Sequence, residues 1–147
     1  ESHHALQRVV RFGAGWLASL QPIPAMEQAA RRLTTLAAQA GGPTPPMGTL
    51  VFAALTADGN PAPGRRLVRH LVDTYGRSPE LADELVVAGD PAALAERLAA
   101  LHDLGVRQFV LSGYGADFSE QYRLLARGAD ELRRRLAHGR VGASRSP

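Results

Sequence analysis

The stretch that decides the fold runs from Val87 to Gly115 and reads VAGDPAALAERLAALHDLGVRQFVLSGYG. Asp90 followed by Pro91 forms a cap-and-start pair, because a short polar side chain can accept from orphan amides and proline tolerates the first helical turn. Leu94, Leu98, Leu101 and Leu104 then recur at helical spacing and turn one apolar stripe inward, and Gly105 stops the helix. Val106, Phe109, Val110 and Leu111 have the makings of a core strand, yet the strand runs out into Ser112, Gly113, Tyr114 and Gly115. In parallel α/β folds ligands bind at the carboxyl ends of strands, and a glycine there lets the backbone turn sharply or a ligand approach closely. A plain turn with Tyr114 packed on the rim accounts for the same four residues equally well.

Working outward, TLVFAALT (49–56) is almost continuously apolar, as a strand covered on both faces must be. WLASL (16–20) is a short strand candidate. The spacing predicts a first helix that Ser2 can cap, with Ala5, Leu6, Val9 and Val10 as its stripe and Gly13 and Gly15 as its end. A second helix follows Pro24, with Met26, Ala29, Ala30, Leu33, Leu36, Ala37 and Ala40 at helical spacing, and GGPTPP (41–46) stops it. RRLVRHLVDTYG (65–76) is amphipathic, Ser78-Pro79-Glu80 starts another turn or helix, and a last helix runs from Phe118 to Ala137. Helix and strand alternate, which implies a parallel sheet with crossover helices. Three such strands leave edges that parallel sheets normally hide, so the pattern reads as part of a larger fold.

Composition narrows the function classes. At 147 residues the chain can bury one domain-sized core. It has no cysteine, which excludes disulfides and thiolate metal sites and suits a cytoplasmic setting. All 17 basic residues are arginine and the net charge is +3; Arg133, Arg134 and Arg135 near the last helix end have no aromatic neighbours and complement the helix dipole rather than a nucleic acid. No apolar run approaches a membrane span. No metal site is expected: His3 and His4 are adjacent and diverge on a helix, and His70, His102 and His138 are isolated. Gly113-Tyr114-Gly115 follows a strand, but the third glycine of a dinucleotide loop would fall at Phe118. The first residue is Glu1 rather than methionine, so a processed, trimmed or partial chain is expected.

Two stretches resemble the bacterial luciferase-like flavin-dependent oxidoreductases. Gly89-Asp90-Pro91, the Leu104-Gly105-Val106 turn and FVLSGY (109–114) are similar to the closing helix and strand of that family's alkanesulfonate monooxygenase branch. Ser2 and Gly13-Ala14-Gly15-Trp16 resemble the segment after its Gly-Gly strand end. The resemblance covers about residues 1–137. It implies an α/β fold, the C-terminal portion of a TIM-type (β/α)8 barrel, with about three β/α units of parallel strands; a whole barrel needs ~250 residues. Residues 1–138 would form this part of the barrel and 139–147 a disordered basic tail. The implied activity is that of a monooxygenase using reduced FMN and oxygen on a small organic substrate, with deazaflavin-dependent hydride transfer as the alternative. The fragment alone is expected to be inactive. Ser112, Gly113 and Tyr114 would line the substrate or flavin pocket, and Ser2 and His3 would bind the cofactor, Ser2 through its phosphate. The catalytic residues would lie mostly upstream. Implied partners are the small substrate and the flavin, with a flavin reductase and a homo-oligomer for the intact protein, and no nucleic acid or membrane. Two other readings compete: a non-catalytic α/β module that binds through its open sheet edge, and a barrel remnant that assembles with another chain.

Overall fold

A computed structural model describes residues 3–13 and 15–143. Among them the order is α1 (His3–Phe12), β1 (Trp16–Ala18), α2 (Ile23–Gln39), β2 (Met47–Leu55), α3 (Ala62–Tyr75), α4 (Pro79–Leu85), β3 (Val86–Gly89), α5 (Pro91–Asp103), β4 (Val106–Gly113) and α6 (Phe118–Ala143). The three strands expected from the sequence form, and β3 is a fourth. It escaped the sequence reading because no turn separates it from α4: Val86 is at once the C-cap of that helix and the first extended residue, at φ −89° and ψ 134°. Without Gly, Pro or Asn between them, the usual sign of a boundary is missing. Helix α6 also runs on to Ala143, past the end expected at Ala137.

The sheet is open. β1 pairs with β2 in parallel, with Trp16, Leu17 and Ala18 opposite Met47, Gly48 and Thr49. β3 also pairs with β2 in parallel, with Phe52 opposite Val86 and Leu55 opposite Gly89, and β4 pairs with β2 as well. The continuous apolar run of β2 thus supplies the strand on which the others assemble.

The chain divides into two units, residues 1–51 with 101–110, and 52–100 with 111–147. In the first, Pro22 and Pro24 start α2, and its Met26, Ala29, Leu33 and Ala37 are buried one turn apart. Leu6 of α1 and Trp16 and Ala18 of β1 complete that side. Thr49 is buried there, and its hydroxyl donates to Ala18 O at 3.3 Å, so the polar group is satisfied. Leu17 and Val110 remain 58% and 49% exposed.

In the second unit Leu55, Leu67, Leu71, Leu94, Leu98 and Leu124 are the fully buried bulk. Two glycines let helices come close. A Cβ on Gly64 of α3 would collide with Ala88 Cβ of β3, and one on Gly128 of α6 would stand 2.9 Å from Pro91 O and 2.7 Å from Leu94 Cδ2 of α5. Among the described residues no helix is long and apolar enough to cross a membrane.

Candidate functional site

The strand end singled out in the sequence lies in the second unit. β4 runs through Ser112 and Gly113, and the Tyr114 N–H still donates to Ala53 O of β2 at 2.8 Å. Tyr114 is therefore the last residue held to the sheet. Ser112, Gly113, Tyr114 and Gly115 are all half-buried.

Helix α3 closes on this strand end from one side. Phe52 and Ala54 of β2 are in register with Val86 and Ala88 of β3, and α3 presses Gly64 onto the same Val86 and Ala88 side chains. Register partners share a face, so α3 lies across the face that carries Phe52. Two turns further on, His70 stacks on the Tyr114 ring at 5.6 Å between centroids with the planes 28° apart. His70 also meets Tyr75 edge to face at 6.4 Å, and Tyr75 meets Phe52 at 6.3 Å. The Thr74 hydroxyl lies 3.2 Å from His70 Nδ1 and fixes the ring's rotation. Four rings thus run from β2 across α3 to the end of β4.

From the other side, Gln121 of α6 reaches under the loop. It is 7% exposed, and its amide makes two bonds to one residue of β2: Leu55 N–H donates to Gln121 Oε1 at 3.1 Å, and Gln121 Nε2 donates to Leu55 O at 2.7 Å. The loop closes over this side chain because Gly113 and Gly115 leave room. A Cβ on Gly113 would stand 3.1 Å from Gln121 Cβ, and one on Gly115 would stand 3.0 Å from Gln121 Cγ. Asp117 starts α6 just before, its carboxylate accepting from Glu120 N–H at 3.0 Å.

The loop after β2 is ordered by its own polar groups. Asp58 accepts from Asn60 N–H at 3.2 Å, and Asn60 accepts in turn from Ala62 N–H at 2.9 Å. The Asn60 amide, together with the Thr56 hydroxyl, holds the Asp58 carboxyl below its ordinary pKa.

The other predicted site residues lie elsewhere. His3 is exposed at the start of α1, in the first unit, where it lines an open groove with Arg31, Arg32 and Thr35 of α2. Ser2 lies outside the described residues. The sequence reading missed His70 and Gln121. In sequence His70 reads as an isolated histidine, and it is exposed; the stack on Tyr114 depends on where α3 lands, which the Gly64–Ala88 approach decides. Gln121, within the first turns of a helix after Asp117, gave no signal, since a glutamine there is ordinarily solvated.

The strand end offers a hydroxyl, a glycine that leaves backbone accessible, and a phenol stacked on an imidazole. The described residues include no group of three or more His, Asp or Glu that could hold a metal ion.

No family model and no curated protein matches the sequence. Solved structures do match the fold. A coenzyme F420-dependent tetrahydromethanopterin reductase from Methanopyrus kandleri superposes with a TM-score of 0.65 at 15% identity, over 84% of this chain and 46% of that one. An F420-dependent secondary alcohol dehydrogenase in complex with an F420-acetone adduct gives 0.66 at 10% identity, over 83% and 44%. The monooxygenase RslO1 from Streptomyces bottropensis gives 0.58 at 17% identity, over 93% and 45%. The chain therefore spans a little under half the length of each of these proteins. With its parallel strands and open sheet, it has the parallel β/α fold of part of each of these proteins.

Proposed function

We propose that this chain is the C-terminal part of a luciferase-like oxidoreductase, and that Ser112, Gly113 and Tyr114 form one wall of its cofactor and substrate pocket. The observation that carries the reading is the braced strand end: Tyr114 is the last residue tied to the sheet, and its ring is held by His70. The strand end also stands where ligands bind in parallel β/α folds. When bound, an isoalloxazine-type cofactor would supply the redox chemistry; this chain's residues would orient it, bind the small substrate and exclude water.

The first reading of the cofactor is reduced FMN, with oxygen as co-substrate and a flavin reductase as supplier, in a cytoplasmic enzyme. A second reading is deazaflavin-dependent hydride transfer, favoured by the two F420-dependent enzymes among the fold matches. At the other end of the chain, Ser2 and His3 would hold the cofactor phosphate; His3 stands in the first turn of α1, where the helix dipole favours an anion, and the arginines lining the groove beside His3 support that reading.

The test is to express the chain together with its upstream coding sequence and titrate the protein with FMN and with the deazaflavin coenzyme by calorimetry. Tyr114→Phe should weaken substrate turnover, and Ser2→Asp, which sets a negative charge against the proposed phosphate, should weaken cofactor binding. If neither cofactor binds the longer protein, the proposal fails and the binding-module reading takes its place.

A further inference from the structure

The geometry points to Gln121 as the residue that positions Tyr114, acting through the end of β2 rather than through contact with any ligand. This deepens the proposed function, since it rests on Tyr114 being a pocket residue. Three observations converge. First, Gln121 is buried in α6 with both polar ends of its amide used on a single backbone residue, Leu55. Second, Tyr114 N–H bonds to Ala53 O, two residues before Leu55 on β2. Residues two apart on a strand offer their N–H and C=O to the same edge. Gln121 therefore occupies the next place along the edge that β4 leaves after Tyr114. Third, the Ser112–Gly115 turn is wrapped on the Gln121 side chain at distances that a Cβ at Gly113 or Gly115 would violate. The loop cannot sink inward, because the amide fills that space. It is not free to lift, because Tyr114 is tied to Ala53. The phenol is left facing His70.

A role confined to stability would let Tyr114 keep its place in a weakened protein; a positioning role would not. The discriminating signal is the imidazole resonance of His70, which feels the ring current of Tyr114 stacked on it. It can be read by carbon–proton NMR on the histidine-labelled chain without cofactor, with assignment by His70→Gln. Tyr114→Ala gives the reference position for an imidazole without its partner. Gln121→Met keeps length and apolar bulk but loses both bonds to Leu55. We expect its His70 resonance to move most of the way to the Tyr114→Ala position. Gly115→Ala strains the same contact from the loop side, its methyl pressing on Gln121 Cγ, Cδ and Nε2, and should move the same resonance in the same direction. Gly115→Ala decides the matter if Gln121→Met does not fold. An unmoved His70 resonance in the folded variants, with or without a fall in stability, overturns the proposal. Because the measurement uses no cofactor, failure to bind FMN or deazaflavin would refute the proposed function and leave this result standing.

Discussion

Gly128→Ala offers a quantitative test of how closely α6 is seated on α5. Gly128 lies in the middle of α6, where alanine would ordinarily improve a helix by up to ~1 kcal/mol. The new methyl would stand 2.9 Å from Pro91 O, 3.1 Å from Leu94 Cβ and 2.7 Å from Leu94 Cδ2. Ordinary contact begins near 3.4 Å, so the carbonyl contact is about 0.5 Å too short. The Leu94 tip can rotate away, but the Pro91 carbonyl is backbone at the start of α5 and moves only with the helix. Overpacking of this kind costs ~1–3 kcal/mol, with the upper half applying where backbone must shift. After the gain in helix propensity the net loss should be ~1–2 kcal/mol. For a chain of this size that lowers Tm by on the order of 2–8 °C. The assay is thermal and urea unfolding of the wild type and the variant, with Ala126→Gly on the exposed side of α6 as a control for propensity alone, expected to lose ~1 kcal/mol. A Gly128→Ala protein as stable as the wild type, or more so, would refute the close approach and leave propensity as the only effect at that site.

Other outcomes can be checked directly. Tyr114→Phe should leave the chain's Tm within error, because only a hydroxyl is lost from a half-buried ring, while turnover by the longer protein falls; equal turnover would return Tyr114 to simple rim packing. Ser78→Ala should cost ~1 kcal/mol in urea unfolding, since the Ser78 hydroxyl accepts from Leu81 N–H at the start of α4. The Asn60 amide proton should titrate with a midpoint below the ordinary aspartate value of 3.8, because the folded-state pKa of Asp58 is depressed. The sign follows from that direction: ionised Asp58 helps to order its loop above the usual carboxylate range, and the help disappears as pH falls through the lowered value. Asp58→Asn should abolish this step and leave the other amides unchanged.

Much of this architecture is legible in the residues. The apolar run of β2, the Asp90-Pro91 start of α5 and the Gly105 stop before β4 each carry a local physical cause, and each element forms where that cause puts it. What stayed hidden has a common origin in tertiary placement. β3 is too short to show a period and has no punctuation before it. The stack of His70 on Tyr114 depends on α3 crossing the sheet at one height, set by the absence of a side chain at Gly64 and the small one at Ala88. The strand end itself was visible as an oddity in sequence, but the imidazole above it and the amide below it come from segments 44 residues before and 7 residues after Tyr114, and no local pattern ties them to it.

The bond pair between Gln121 and Leu55 also bears on how the chain avoids sticking to itself. A strand that loses its neighbour partway along presents bare N–H and C=O groups, and such an edge is a template for any extended segment that drifts past. β4 leaves β2 at Tyr114, while the partner groups of Leu55 come one place later. A single side-chain amide offers the donor and the acceptor that another strand would have offered, and occupies them permanently at the cost of no extra chain. Thr56 faces the opposite way and gives its N–H to Gly89 O at 2.8 Å, so that side is satisfied too. The last turn of β2 is thereby sealed on both edges. A variant that unseals it would be expected to show its defect first as concentration-dependent aggregation, at temperatures where the monomer is still folded.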